Sequence, residues 1–235
     1  MTKRIRRVTT TRAGGVSAPP FDTFNLGDHV GDDPVAVAAN RARLAAALGL
    51  PTDRVIWMNQ VHGDHVEFVD AARAEAFDAT DALVTTTPGL ALAVVTADCV
   101  PVLMADAEAG VLGAAHAGRV GAANGVVLRT LEAMLAAGAR APDVSVLLGP
   151  AVSGANYEVP EEMAADVEAR LPGSRTTTGN GAPALDLRAG IARQLLAAGV
   201  NAIDIDPRCT VTDPALFSHR RDAPTGRLAS LVWMS

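Results

Sequence analysis

Cys99, His62 and His116 are the residues of this 235-residue chain best suited to soft-metal or thiol chemistry. Cys99 follows the polar step Thr96-Ala97-Asp98, which separates the apolar runs 90–95 and 100–104. His116 ends a third run, 110–115, just before a break at Gly118, and His62 lies in Gln60-Val61-His62-Gly63. Short apolar runs bounded by turn residues read as buried strands. Each of the three side chains is therefore expected at a strand end. Two imidazoles and a thiolate with a fourth position open form the ligand pattern of a catalytic zinc, which acidifies a bound water. The same set also suits copper. A metal-free alternative makes Cys99 a nucleophile and His116 its base. With five histidines in all, three of them already in the trio, the chain is poorly equipped for a self-contained multicopper oxidase. His65 reads as a surface or supporting residue, because a glycine step separates it from His62.

The elements that must position this trio can be read along the chain. Residues 5–11 read as a strand and Gly14-Gly15 as a turn able to aim backbone N–H groups at an anion. A loop over 18–31 leads to Asp33-Pro34, the N-cap and first residue of a helix that stops at Gly49. Arg41 and Arg43 lie on that helix. Strands are expected over 54–61, 65–69 and 81–85, then the three runs around the trio. One helix is expected over 120–138, a strand over 143–148 and an acidic helix over 160–171. A surface loop over 172–183, a helix over 187–198, a short strand over 203–206, a polar cluster over 217–222 and a final strand over 228–234 follow. Strands and helices mix without a regular βαβ cadence, which predicts an α/β fold of the mixed α+β kind: a layered sandwich of mixed β-sheets flanked by helices. No repeat or long linker divides it, so residues 1–235 are expected to form a single domain.

Composition narrows the function. Hydrophobic residues make up 49% of the chain and charged residues 20%, as in an ordinary globular protein. A net charge of −6 argues against a nucleic-acid partner. No apolar run reaches the length that crosses a bilayer, and the basic start Lys3-Arg4-Ile5-Arg6-Arg7 is not followed by a secretory apolar region. A cytoplasmic protein with reduced thiols at Cys99 and Cys209 is the expectation, with no membrane partner.

The ordered motifs Thr11-Arg12-Ala13-Gly14-Gly15-Val16-Ser17, Phe24-Asn25-Leu26-Gly27, Val30-Gly31-Asp32-Asp33-Pro34 and Asn40-Arg41 carry a family resemblance. So do Gln60-Val61-His62-Gly63, Asp81-Ala82-Leu83-Val84-Thr85, Asp98-Cys99-Val100-Pro101-Val102, His116-Ala117-Gly118 and Thr225-Gly226-Arg227. Together they resemble the YfiH/YlmD family of laccase-domain, polyphenol-oxidase-like proteins over nearly the whole chain. The resemblance implies a YfiH-like layered sandwich, shared with a class of cysteine-hydrolase-like toxins. It implies a purine nucleoside phosphorylase acting on adenosine, inosine and S-methyl-5'-thioadenosine, with adenosine deaminase activity. It also implies a zinc trio falling on His62, Cys99 and His116, with copper-dependent oxidation of phenols as the alternative. The chain departs from the pattern in three places. Arg119-Val120 stands where the family has Trp-Arg, Ala97 where a Thr is common, and residues 149–159 lack the cysteines often found there.

Phosphorolysis needs a seat for phosphate beside the anomeric carbon, and the arginine fork matches two phosphate oxygens at once. Arg41, in the matched Asn-Arg pair, is the first choice, and Arg220 or Arg221 the second. Ser17, Asn25 and Asp98 are candidate hydrogen-bond partners of ribose or base, with Asp98 also close enough in sequence to Cys99 to act in catalysis. Deamination would instead direct zinc-activated water at the purine C6 position. A thiol hydrolase or a non-catalytic purine-binding module would use the same residues differently.

Overall fold

The described residues fold into twelve strands and six α-helices arranged as four layers; the computed structural model describes residues 4–235. The start of the basic N-terminus, residues 1–3, lies outside the described residues. The first layer is α1 (Pro34–Leu48), capped by the Asp33 side chain on the Val35 N–H and closed by Gly49 at φ 72°. It packs on a four-stranded sheet ordered β1 (Ile5–Thr9), β12 (Leu228–Met234), β5 (Ala91–Thr96) and β2 (Val55–Ile56). Alternation along β5 explains the packing. Ala91, Ala93 and Val95 meet Leu44, Ala45 and Trp57 on one side, while Leu92 and Val94 face the second sheet on the other.

The second sheet has six strands in the order β11 (Ala202–Ile205), β8 (Val144–Leu148), β6 (Val100–Asp106), β7 (Val111–Ala117), β4 (Ala82–Thr85) and β3 (Val66–Phe68). The outer pairs β11–β8 and β3–β4 are parallel and the inner pairs antiparallel, so the sheet is mixed as expected. Leu83, Leu103, Leu112 and Ala114 close the interior against the first sheet. The other face carries α3 (Val126–Ala136), α4 (Glu161–Arg170) and α5 (Leu187–Ala197) over a core that includes Met104, Met134 and Ile191. Every residue of β5, β6, β7 and β12 is buried, because each of these strands is covered on both faces.

Three local expectations change. The helix over 120–138 is two: α2 (Arg119–Asn124) and α3, parted at Gly125, whose φ of 92° no continuous helix admits. The loop over 172–183 contains β9 (Arg175–Thr177), paired antiparallel with β10 (Pro183–Leu185). The strand over 54–61 is reduced to β2, after which Met58 and Asn59 bond to Phe77 and the chain leaves the sheet. Among the described residues no helix is long and apolar enough to cross a membrane.

Candidate metal centre and active site

Strand ends and sheet crossings bring the trio together. His62 lies on the stretch from β2 to β3 and Cys99 on the step from β5 to β6, so both sit where the chain passes from one sheet to the other. His116 lies within β7, near its end. Their potential ligand atoms all fall within 4.8 Å of one another, with Cys99 Sγ 3.8 Å from His62 Nε2. The two imidazole rings meet edge to face, centroids 4.8 Å apart. Among the described residues this is the one group of three or more such side chains able to share an ion.

Asp81 holds the arrangement in place. Its buried carboxylate accepts His116 Nδ1–H at 2.8 Å, the His62 N–H at 3.0 Å, the Gly63 N–H at 2.7 Å and the Val61 N–H at 3.2 Å. Its carbonyl accepts the His116 N–H. Because an ionised carboxylate only accepts, His116 carries its proton on Nδ1 and offers Nε2 to a ligand, as metal-binding histidines generally do. The same bonds keep His62 in the left-handed region at φ 61°. Gly118 leaves room for both neighbours: a Cβ there would lie 2.6 Å from His62 Cδ2 and 3.1 Å from Cys99 Sγ.

Electrostatics follow from this packing. Burial works against ionising Cys99, but the His116 charge and the hydrogen bonds from both histidines outweigh it and bring the thiol down to about 6. Burial likewise works against charging His116, and the Cys99 thiolate and Asp81 outweigh that, raising it to about 9. Without metal the pair is therefore a thiolate beside an imidazolium near neutral pH. The donor set also fits zinc. Two nitrogens and one sulfur, drawn from side chains whose ligand atoms lie within 4.8 Å of one another, are the donor types that zinc takes. The remaining side opens on a cavity of about 410 Å³, within the range typical of small-molecule sites.

The cavity separates the other sequence-based expectations. Asp98 and Arg220 line it. Asp98, at φ 94°, accepts the Thr210 hydroxyl and the Arg220 N–H, both at 2.6 Å, and so fixes the start of α6 (His219–Asp222). Ser17, Asn25 and Arg41 do not line it. Asn40 Nδ2 donates to Ser17 Oγ at 2.9 Å and to the Asn25 carbonyl at 2.9 Å. Asn25 donates to Asp32 and accepts from Gly27 and Arg227 N–H. Arg41 bonds the Leu26 carbonyl, pairs with Asp28 at 3.1 Å and lies over Trp57. Arg221 turns to the carbonyls of Thr210 and Leu216 and to Asp222. His65 is exposed beside Glu67. The cavity adds residues the sequence did not single out as ligands: His29, Arg119, Tyr157, His219 and Arg227. Asp81 was legible as a strand start; its reach to two loops was not.

The chain resembles known proteins in sequence and fold. A family model described as multi-copper polyphenol oxidoreductase laccase matches residues 6–235. A Mycobacterium tuberculosis protein named purine nucleoside phosphorylase is 76% identical over 98% of this chain and 92% of its own. One of the same name from Corynebacterium glutamicum is 58% identical over 98% and 94%. Among solved structures, YfiH of Bacillus licheniformis is 32% identical with a TM-score of 0.92, covering 98% of this chain and 93% of that one. YlmD of Geobacillus stearothermophilus is 36% identical with a TM-score of 0.88, over 98% and 92%. With the family model spanning nearly all of its length and relatives this similar, the chain belongs to the laccase-domain family that includes YfiH and YlmD.

Proposed function

We propose that the chain is a cytoplasmic purine nucleoside phosphorylase that cleaves adenosine, inosine and S-methyl-5'-thioadenosine, and that it also deaminates adenosine. The observation that carries this reading is the His62–Cys99–His116 trio opening on a cavity lined by arginine and apolar side chains. The names of relatives up to 76% identical support it. In phosphorolysis a phosphate oxygen bonds to the anomeric carbon while the bond from that carbon to the purine nitrogen breaks. The bonding electrons leave with the purine, and the proton of hydrogen phosphate ends on that nitrogen.

His62, Cys99 and His116 would hold a zinc ion, which would supply a Lewis acid at the cavity wall. The chain's own residues supply placement. Asp81 fixes the His116 tautomer, and Asp98 anchors Arg220 at the cavity edge. The phosphate role therefore passes from Arg41 to Arg220, because Arg41 is engaged outside the cavity. Ser17 and Asn25 serve the scaffold beneath α1 rather than the nucleoside.

Incubating metal-quantified protein with adenosine and phosphate, and separating the products, tests the reading. Ribose 1-phosphate and adenine are expected, with inosine from the deaminase activity. Absence of all three defeats it. A second reading, a thiol hydrolase, draws on the Cys99 thiolate beside the His116 imidazolium. It requires activity that survives chelation and ends on alkylation of Cys99. A copper-dependent phenol oxidase draws on the family's description, and requires turnover of a phenol by the copper-loaded protein.

A further inference from the structure

Three arginines, Arg119, Arg220 and Arg227, line the cavity beside the trio. Elsewhere the chain pairs many of its arginines with carboxylates, as at Arg12–Asp22, Arg41–Asp28, Arg208–Asp206 and Arg221–Asp222. No such pair within 4.0 Å involves these three among the described residues. Asp98 is the one carboxylate in the lining, and its two oxygens already accept the Thr210 hydroxyl and the Arg220 backbone N–H.

The anchors of these guanidinium groups are neutral. Arg220 Nη1 donates to the Glu158 carbonyl at 3.2 Å, and its Cζ lies 5.2 Å from the centroid of the Tyr157 ring. Arg227 Nη1 donates to the Thr225 and Gly226 carbonyls at 2.9 and 3.1 Å. Arg119 follows Gly118, which packs against His62 and Cys99, so its side chain leaves the backbone beside the trio. Carbonyl anchors orient a guanidinium without cancelling its charge, and leave its other N–H groups for a ligand. Tyr157 is the one tyrosine of the chain and the one aromatic in the lining apart from histidine. Its phenol carries an O–H able to donate at neutral pH.

We propose that Arg119 and Arg220, grouped around Tyr157, form the oxyanion seat of the cavity and bind orthophosphate, with Arg227 adding charge at its edge. This deepens the phosphorylase reading and rests on it. Arg119 is then a specificity-determining residue: its fork places phosphate next to the trio. A nucleoside lacks the charge to occupy this seat, so phosphate and nucleoside bind to separable parts of one cavity.

The test uses zinc-replete protein and the variants Arg119→Gln, Arg220→Gln and Arg119→Lys. KM for phosphate at saturating inosine should rise about tenfold or more in each Gln variant, with KM for inosine changed by less than about twofold. Arg119→Lys should recover part of the loss, because it restores the charge without the fork. Melting temperature, read with inorganic phosphate or an ionic-strength-matched chloride, supplies a readout independent of turnover. Phosphate should raise it in the parent protein and not in Arg119→Gln. An unchanged phosphate KM, a rise confined to inosine, or an equal phosphate shift in parent and Arg119→Gln overturns the seat. If the parent turns over no nucleoside, the phosphorylase reading falls by itself, and the phosphate shift still decides the seat.

Discussion

Two polar clusters lie in different parts of this molecule, and they treat their side chains in opposite ways. Beneath α1, the buried Ser17, Asn25 and Asn40 bond to one another and to backbone, and Arg41 is held by Asp28, Leu26 and Trp57. That cluster is closed. Around the cavity, Asp81 and Asp98 use their oxygens to position backbone and imidazole, leaving three guanidinium groups without a carboxylate partner among the described residues. Two of the three non-glycine residues at positive φ among the described residues, His62 and Asp98, belong to this second cluster. Polar residues alone therefore do not mark a site; what marks it is polar capacity left over after the fold has taken its share.

The contrast is sharpest in substitutions that should affect one cluster and spare the other. Cys99→Ala should lower kcat/KM for phosphorolysis at least about a thousandfold, ~4 kcal/mol of transition-state stabilisation. It should abolish stoichiometric metal by elemental analysis while leaving the fold intact by circular dichroism. Activity near the parental value would remove the trio from the chemistry.

Next comes pH. In the metal-free protein, a thiol lowered to about 6 is ionised above that value and protonated below it. At pH 7 this gives roughly a thirtyfold larger thiolate fraction than an unperturbed cysteine. Alkylation of Cys99 should therefore rise through pH about 6 and level off; a midpoint near 9 would break the thiolate–imidazolium pair. Asp81→Asn should weaken zinc binding about 10- to 100-fold in a competition titration, because the His116 tautomer and the His62 loop lose their common anchor.

In the closed cluster the effects should appear in stability instead. Asn40→Ala removes donors to Ser17, Thr23 and Asn25 and an acceptor for the Val16 N–H. It should cost about 2–3 kcal/mol in denaturant titration, with metal stoichiometry unchanged. Smallest of all, Arg41→Ala should cost about 1 kcal/mol through its stacking on Trp57 and its partly exposed pair with Asp28. KM for phosphate should not move. A large rise there would put Arg41 back in the phosphate seat and erase the contrast between the clusters.

Much of this was legible in the sequence because the signals are local. Asp33, Pro34 and Gly49 bound α1, largely apolar runs give β5, β6 and β12, and Cys99 and His116 stand at the edges of such runs, whereas His62 lies in a loop six residues beyond β2. Gly125 was less legible, since one glycine in an apolar helical stretch shows only in the structure that it is left-handed. Arg175–Thr177 read as loop because its polar side chains carry no buried face, and its pairing partner is its only reason to extend. The role of Asp81 depends on contacts 18 to 35 residues away, which no local spacing encodes. Ser17, Asn25 and Arg41 had the right chemistry for a ligand; in the structure they lie outside the cavity lining and bond to neighbouring backbone and side chains, contacts that local spacing does not encode.

His62 and Cys99 ride on two of the stretches that carry the chain between its sheets. An ion gripping both would therefore clasp the sandwich shut, and its grip would be lost once the halves separate. Resistance to heat should then follow the free zinc concentration, gaining about 2.7 kcal/mol when zinc stands a hundredfold above its dissociation constant. Cells short of zinc would hold a protein that is looser throughout, as well as idle.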